Sequence, residues 1–245
     1  MSTEPIIKIH KKRADLYRAA ADHFVEKAQA AIKKKEKFTV CLSGGKTPQP
    51  LYELLATPEY AEQVNWKKCH IFFGDERCVP PTHDDSNYGM VYDLLLRKVK
   101  VPKSHVYKMD GSKTPRQAAQ AYTQVFQEFF GATKPFFDLA FLGMGTDGHI
   151  ASMFPGTDAV KMVRKRVREV KMGKNQPWRI TVTSSVFNRT KSVVVLVSGK
   201  KKAATLKEVL EGEYNPELLP AQTLRNAIGE VSWFLDEGAA SLLDK

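Results

Sequence analysis

An apolar run passes without a break into a glycine-rich loop at Phe137-Asp138-Leu139-Ala140-Phe141-Leu142-Gly143-Met144-Gly145-Thr146-Asp147-Gly148-His149. This stretch constrains the fold more than any other. A run of this kind does not alternate between core and water, so it suits a strand covered on both faces in a parallel sheet. Ligands of open α/β sheets bind just beyond the carboxyl ends of such strands. The loop at that end offers an aspartate and an imidazole, a group that changes charge near neutral pH. It is therefore a candidate active-site loop, with His149 as candidate base.

The rest of the chain repeats the theme. Residues 6–10 alternate as a short strand, and Leu16, Ala20, Phe24, Ala28 and Ile32 recur at helical spacing across residues 11–35. Further strands are expected at 38–42, 69–73, 105–109, 138–143, 166–172, 179–183, 193–197 and 231–235. Helices are expected between them: through Leu51, Leu54 and Leu55; over residues 88–99, with Ser86 or Asn87 as cap; over 115–130; over 201–210; and briefly at the end. Strands alternating with helices imply an α/β fold: a mostly parallel, Rossmann-like sheet covered by helices on both faces, with a few additional short strands. No repeat, low-complexity tract or Pro/Gly/Ser linker divides residues 1–245, so one domain is expected. The basic stretch 161–174 reads as a flexible insertion.

Bulk properties exclude several classes. With 42% hydrophobic and 27% charged residues the composition is that of an ordinary globular protein. No apolar run is long enough to span a bilayer, and neither a secretory signal nor a retrieval tag is visible, so a cytoplasmic location is expected. Cys41, Cys69 and Cys78 lack zinc-ligand spacing and read as reduced thiols. The net charge of +11 would suit nucleic acid, an anionic surface or an acidic substrate. No aromatic residues are interleaved with the lysine clusters to stack on bases, so a small-molecule substrate is expected rather than nucleic acid or membrane. A monomer is expected.

Four strand ends carry polar or glycine-rich sequence: residues 43–47, 74–77, 143–149 and 198–202. In a parallel sheet such ends converge on one edge. Ser43-Gly44-Gly45-Lys46-Thr47 has the chemistry of an anion cradle, although it lacks the spacing of a P-loop. Arg77 can grip phosphate in a bidentate fork. Lys202 opens a helix, where a bound anion would offset its charge, but Lys200 and Lys201 compete for that role. Asp147, two residues from His149, either orients the ring or binds substrate hydroxyls. No histidine pairs with another ligand at metal spacing, so no metal is expected.

The segments Ser43-Gly44-Gly45-Lys46-Thr47-Pro48, Gly74-Asp75-Glu76-Arg77-Cys78-Val79-Pro80, Ser86-Asn87-Tyr88, residues 142–156, Trp178-Arg179-Ile180-Thr181 and residues 198–203 together resemble the 6-phosphogluconolactonase family, in the family's order. The resemblance implies hydrolysis of 6-phospho-D-glucono-1,5-lactone, the second step of the oxidative pentose phosphate pathway, without cofactor or metal. It implies His149 as the base and Arg77 and Lys202 as phosphate ligands, with Arg179 a further candidate. The turn at Gly44-Gly45 would present backbone donors, and Asp147 or Asp75 would orient His149 or the sugar hydroxyls. Lys46 replaces the family's usual serine. The alternative is the sister family of glucosamine-6-phosphate deaminases. That family follows its histidine with a Phe-Asn-Glu-Pro-like segment, whereas Ala151-Ser152-Met153-Phe154-Pro155 stands here.

Overall fold

The computed structural model describes residues 4–132, 136–161, 164–174 and 176–244. Its strands are β1 (Ile6–His10), β2 (Phe38–Leu42), β3 (Cys69–Phe73), β4 (Asp75–Arg77), β5 (Val106–Tyr107), β6 (Leu139–Gly143), β7 (Val167–Val170), β8 (Arg179–Val182), β9 (Ser192–Val197) and β10 (Glu230–Asp236). A seven-stranded sheet runs in the order β1-β10-β9-β6-β2-β3-β5, and its pairings are parallel. The chain steps outward from β2 to β3 and β5, returns to β6 on the other side of β2, and steps outward again to β9 and β10. The direction of winding therefore reverses between β2 and β6. At such a reversal the connections leave in opposite directions, which opens a crevice at the carboxyl ends of the two strands.

The apolar runs hide a period of two. Phe38, Val40 and Leu42 of β2, with Leu139 and Phe141 of β6, join a core under the helix Arg13–Lys35. Cys41, Ala140 and Leu142 face the opposite core, under the helix Pro115–Phe130. Both faces are covered, so both sets are apolar.

Three strands form a second, antiparallel sheet in the order β4-β8-β7. The segment 74–77, read from sequence as a polar strand end, is thus partly a strand itself. Gly74 is the hinge between the sheets: its N–H donates to the Leu42 carbonyl at 2.9 Å, and its carbonyl accepts from the Val182 N–H at 2.8 Å. Other expectations shift at their edges. The helix expected over 88–99 is a short helix, Asn87–Val91, continued by a wider turn in which Arg97 N–H reaches the Tyr92 carbonyl at 3.0 Å. Ser86 is its cap, accepting from Gly89 N–H at 3.0 Å. The strand expected over 105–109 shrinks to Val106–Tyr107. The basic stretch 161–174 contributes β7 to the second sheet; its residues Met162 and Val163 lie outside the described residues.

At the amino end of β6, opposite the crevice, Asp138 is 4% exposed and gathers four partners. Its carboxylate accepts from Thr39 N–H at 2.9 Å and Thr39 Oγ1 at 2.8 Å. Lys35 and Lys191 each approach it at 2.8 Å. Burial disfavours its charge, but the bonds from Lys191 and Lys35 prevail, and the carboxyl sits below its ordinary pKa. This cluster ties β2 to β6. Asp138→Ala should cost roughly 2–4 kcal/mol in urea unfolding, because two lysines and a buried amide lose their shared acceptor; a loss under about 0.5 kcal/mol would discount it.

His23 sits on the helix Arg13–Lys35, 7% exposed, with Nε2 3.2 Å from Ser192 Oγ. Burial pushes its pKa from 6.5 down to about 4. Between those values the unfolded chain binds the extra proton and the folded chain does not. Stability from the neutral ring is therefore complete above pH 6.5 and is lost as pH falls toward 4. The slope contributed is at most about 1.4 kcal/mol per pH unit. His23→Gln should flatten the plot of unfolding free energy against pH in that window, and an unchanged slope would reassign the acid sensitivity.

Candidate active site

A cleft of about 130 Å³ opens at the β2–β6 crevice. Three of the four predicted strand ends line it.

The first wall is the turn after β2. Tyr52, fully buried, holds both backbone groups of Ser43: its hydroxyl accepts from Ser43 N–H at 3.0 Å and donates to the Ser43 carbonyl at 2.7 Å. The Ser43 hydroxyl donates to the Phe141 carbonyl of β6 at 2.7 Å. That side chain is committed to joining the strands, so Ser43 borders the cleft with its hydroxyl already engaged. Gly44 is required by close approach, because a Cβ there would fall 1.7 Å from Asn87 Oδ1. Gly45 turns the chain with φ +81°, a conformation that favours glycine. Lys46 is exposed and Thr47 half-buried, both at the cleft.

The second wall comes from the small sheet. Arg77 of β4 and Arg179 of β8 are direct cross-strand neighbours, and both line the cleft. Like charges placed opposite one another disfavour the pairing. Burial, and then the Arg77 charge, lower the Arg179 pKa. Arg77 Nη1 donates to the Asp85 carbonyl at 2.6 Å. The Nε of each arginine is buried with no hydrogen-bond partner among the described residues. Two guanidinium groups on one cleft wall with unspent donors have the chemistry to bind an anion. Between Asp75 and Arg77 in sequence, Glu76 points the other way and is 2% exposed. It accepts from the N–H groups of Arg77, Asn87 and Tyr88 at 2.8, 2.7 and 2.8 Å, and from Ser86 Oγ at 3.1 Å. Burial raises its pKa even against those donors. Glu76 thereby staples the segment 86–88 beside the cleft.

The third wall is the loop after β6. His149 Nδ1 lies 2.5 Å from Asp147 Oδ1, and the same oxygen accepts from His149 N–H at 3.2 Å. Burial opposes the Asp147 charge, but attraction to His149 and its hydrogen bonds prevail, and the carboxyl is held below its ordinary pKa. Gly145 is required here: a Cβ would lie 2.2 Å from His149 Nδ1. The loop closes on itself through Gly145 N–H to the His149 carbonyl at 2.9 Å. His149 lines the cleft, with Asp147 behind it. Asp75, the other carboxylate considered as its support, is occupied elsewhere: it accepts from Ser152 Oγ at 2.5 Å and from Asn87 Nδ2 at 3.1 Å.

The fourth strand end falls outside the cleft lining. Lys202 follows β9 on the same edge of the sheet, but burial, and then Arg13, lower its pKa while Asp236 raises it. Its electrostatic neighbours are those two residues, apart from the Arg77–Arg179 pair. Asn87, a cap candidate that also stands in the Ser86-Asn87-Tyr88 segment, is 2% exposed at the cleft and spans Asp75 and the Gly44 turn. Its place beside Gly44 depends on the fold, and the one signal in the chain was its position within Ser86-Asn87-Tyr88. Met144 and Ala151 complete the lining. Among the described residues no cluster of three or more histidines, cysteines or carboxylates could hold a metal ion, and no helix is long and apolar enough to cross a membrane.

Comparison with known proteins gives the family of this fold. The model of the family described as glucosamine-6-phosphate isomerases/6-phosphogluconolactonase matches residues 11–233. A 6-phosphogluconolactonase of Synechocystis sp. is 40% identical over 217 residues, which cover 87% of this chain and 88% of that protein. The structure of 6-phosphogluconolactonase from Trypanosoma cruzi superposes with a TM-score of 0.88 at 30% identity, covering 100% of this chain and 99% of the other. A monomeric glucosamine-6-phosphate deaminase shares the fold, with a TM-score of 0.84 at 21% identity over 97% of this chain and 99% of that one. With the family model spanning most of its length, this chain belongs to the glucosamine-6-phosphate isomerase/6-phosphogluconolactonase family.

Proposed function

We propose that this chain hydrolyses 6-phospho-D-glucono-1,5-lactone to 6-phosphogluconate in the oxidative pentose phosphate pathway. One observation carries the reading: a single cleft has the Asp147–His149 pair on one wall and the Arg77–Arg179 pair on another. The first is a base with its orienting carboxylate, and the second is a grip for a phosphate dianion. A sugar-phosphate lactone has both complements in one molecule.

The chemistry follows from the positions. The lactone is an activated ester, so water needs a positioned base and a stabilised oxyanion. Asp147 engages Nδ1, which leaves Nε2 as the nitrogen that takes the proton from attacking water. The tetrahedral intermediate collapses by breaking the bond between C1 and the ring oxygen, and the imidazolium returns its proton to that oxygen. One water is consumed, and no covalent intermediate or metal is invoked. Arg77 and Arg179 hold the phosphate and so place the carbonyl before His149. Gly44 and Gly45 bring main-chain donors to the cleft wall. Lys46 and Thr47 are contacts at the rim. Asp75, its carboxylate already taken by Ser152 and Asn87, shapes the cleft wall that the sugar meets. Lys202 contributes positive potential at the same sheet edge, which favours approach of the dianion.

The deaminase reading lacks its glutamate, since Ala151, Ser152 and Met153 occupy the segment after His149. The reading takes the chain as one domain acting as a monomer on a small molecule rather than on nucleic acid. Cys41, Cys69 and Cys78 are unpaired thiols, which fits the reducing cytoplasm.

In a pH-monitored assay corrected for spontaneous opening, His149→Ala should lower kcat by about 10²–10⁴ with unchanged thermal stability. Turnover near that of the parent chain would remove His149 as the base. Arg77→Ala and Arg179→Ala should each raise KM by roughly tenfold or more, with a smaller change in kcat; an unchanged KM in both would move the phosphate elsewhere. Release of ammonia from glucosamine 6-phosphate at a comparable rate would favour the sister chemistry.

A further inference from the structure

We infer that Phe154 is a positioning residue that couples the base to the anion grip. Its ring lies against the His149 imidazole with centroids 4.2 Å apart and planes inclined at 34°. The Arg179 guanidinium stands 5.4 Å from the centroid of the same ring. Phe154 is half-buried and lies behind the cleft lining, so it acts through these two residues rather than on substrate. The inference rests on the reading of His149 as the base.

Two constraints are needed to aim an imidazole. The hydrogen bond from Nδ1 to Asp147 fixes one edge of the ring but leaves the ring able to tilt about that contact. The face of Phe154 removes the tilt, so the direction in which Nε2 points is set by both partners. The reaction then turns the imidazole into a cation beside an aromatic face, where a cation is favoured. Arg179, on the same aromatic ring, is held at a set distance from His149. The phosphate end and the carbonyl end of the substrate are therefore registered against one side chain.

The backbone around Phe154 is anchored without its ring. The Phe154 carbonyl accepts from Thr157 N–H at 3.1 Å and from Thr157 Oγ1 at 2.7 Å, and Met153 N–H donates to the Ile150 carbonyl at 3.0 Å. Replacing the ring should therefore change the site more than the fold.

The test compares Phe154→Leu, which keeps an apolar side chain without an aromatic face, with Phe154→Tyr, which keeps the face. Kinetics on the lactone and thermal unfolding are measured for both, with His149→Ala alongside. Phe154→Leu should lose about tenfold in kcat and gain severalfold in KM, whereas Phe154→Tyr stays within about twofold of the parent chain. Melting temperatures of the two variants should agree within a few degrees. Parent kcat and KM in Phe154→Leu, with His149→Ala inactive, would overturn the role of Phe154 and leave the base intact. Equal losses in both variants with a matching drop in melting temperature would also overturn it, by showing a packing role. Full turnover in His149→Ala would remove the base and this role together.

Discussion

The reversal of winding between β2 and β6 is the constraint on which the site depends. The two strands are in register as Val40 to Leu139 and Cys41 to Ala140. They are fastened at both ends. Asp138 binds Thr39 where β6 begins, and the Ser43 hydroxyl binds the Phe141 carbonyl where β2 ends. A slip of one residue would turn Phe141 and Ala140 to the wrong cores. It would also part the Gly44 turn from the His149 loop, and the cleft would lose two of its walls.

The large sheet alone brings His149 to the cleft without the two arginines. The arginines come from the second sheet, grafted at Gly74, where the chain leaves β3 and enters β4 with hydrogen bonds to both sheets. Antiparallel pairing of β4 with β8 then sets Arg77 opposite Arg179. That pairing works against folding, because two partly buried guanidinium groups repel. An anion between them would offset that repulsion, so the chain holds a local electrostatic conflict open to the cleft. Glu76, alternate to both Asp75 and Arg77 on the strand, offsets part of the cost by binding the segment 86–88 beside it.

Much of this was legible in the chain. Apolar runs announced parallel strands, and β2, β3, β6 and β9, which end in Gly or Ser-Gly turns, and β10, which does not, form where those runs stand. The pair Asp147 and His149 stood two residues apart in one loop, so their contact is local. Other features were not legible, because they join segments distant in sequence. Nothing near Asp75 says that its carboxylate is taken by Ser152, 77 positions away. Nothing near Asn87 says that it fills the space left by Gly44. The short strand β4 was hidden because three polar residues carry no apolar period, and its partner β8 lies about a hundred residues on. Lys202 looked equivalent to Arg77 as a cation at a strand end, but Arg77 reaches the cleft on β4 of the second sheet, whereas Lys202 follows β9 directly and lies outside the lining.

By itself the sequence determined the class of fold, the strand ends at which chemistry could occur, and the histidine with its aspartate. Those follow from short-range physics: hydrophobic period, glycine in turns and side chains two residues apart. Tertiary structure alone decided which strand ends meet, which carboxylate supports His149, and that Arg77 and Arg179 face one cleft. Those are set by strand order and register, properties of pairing between remote segments that no local pattern encodes.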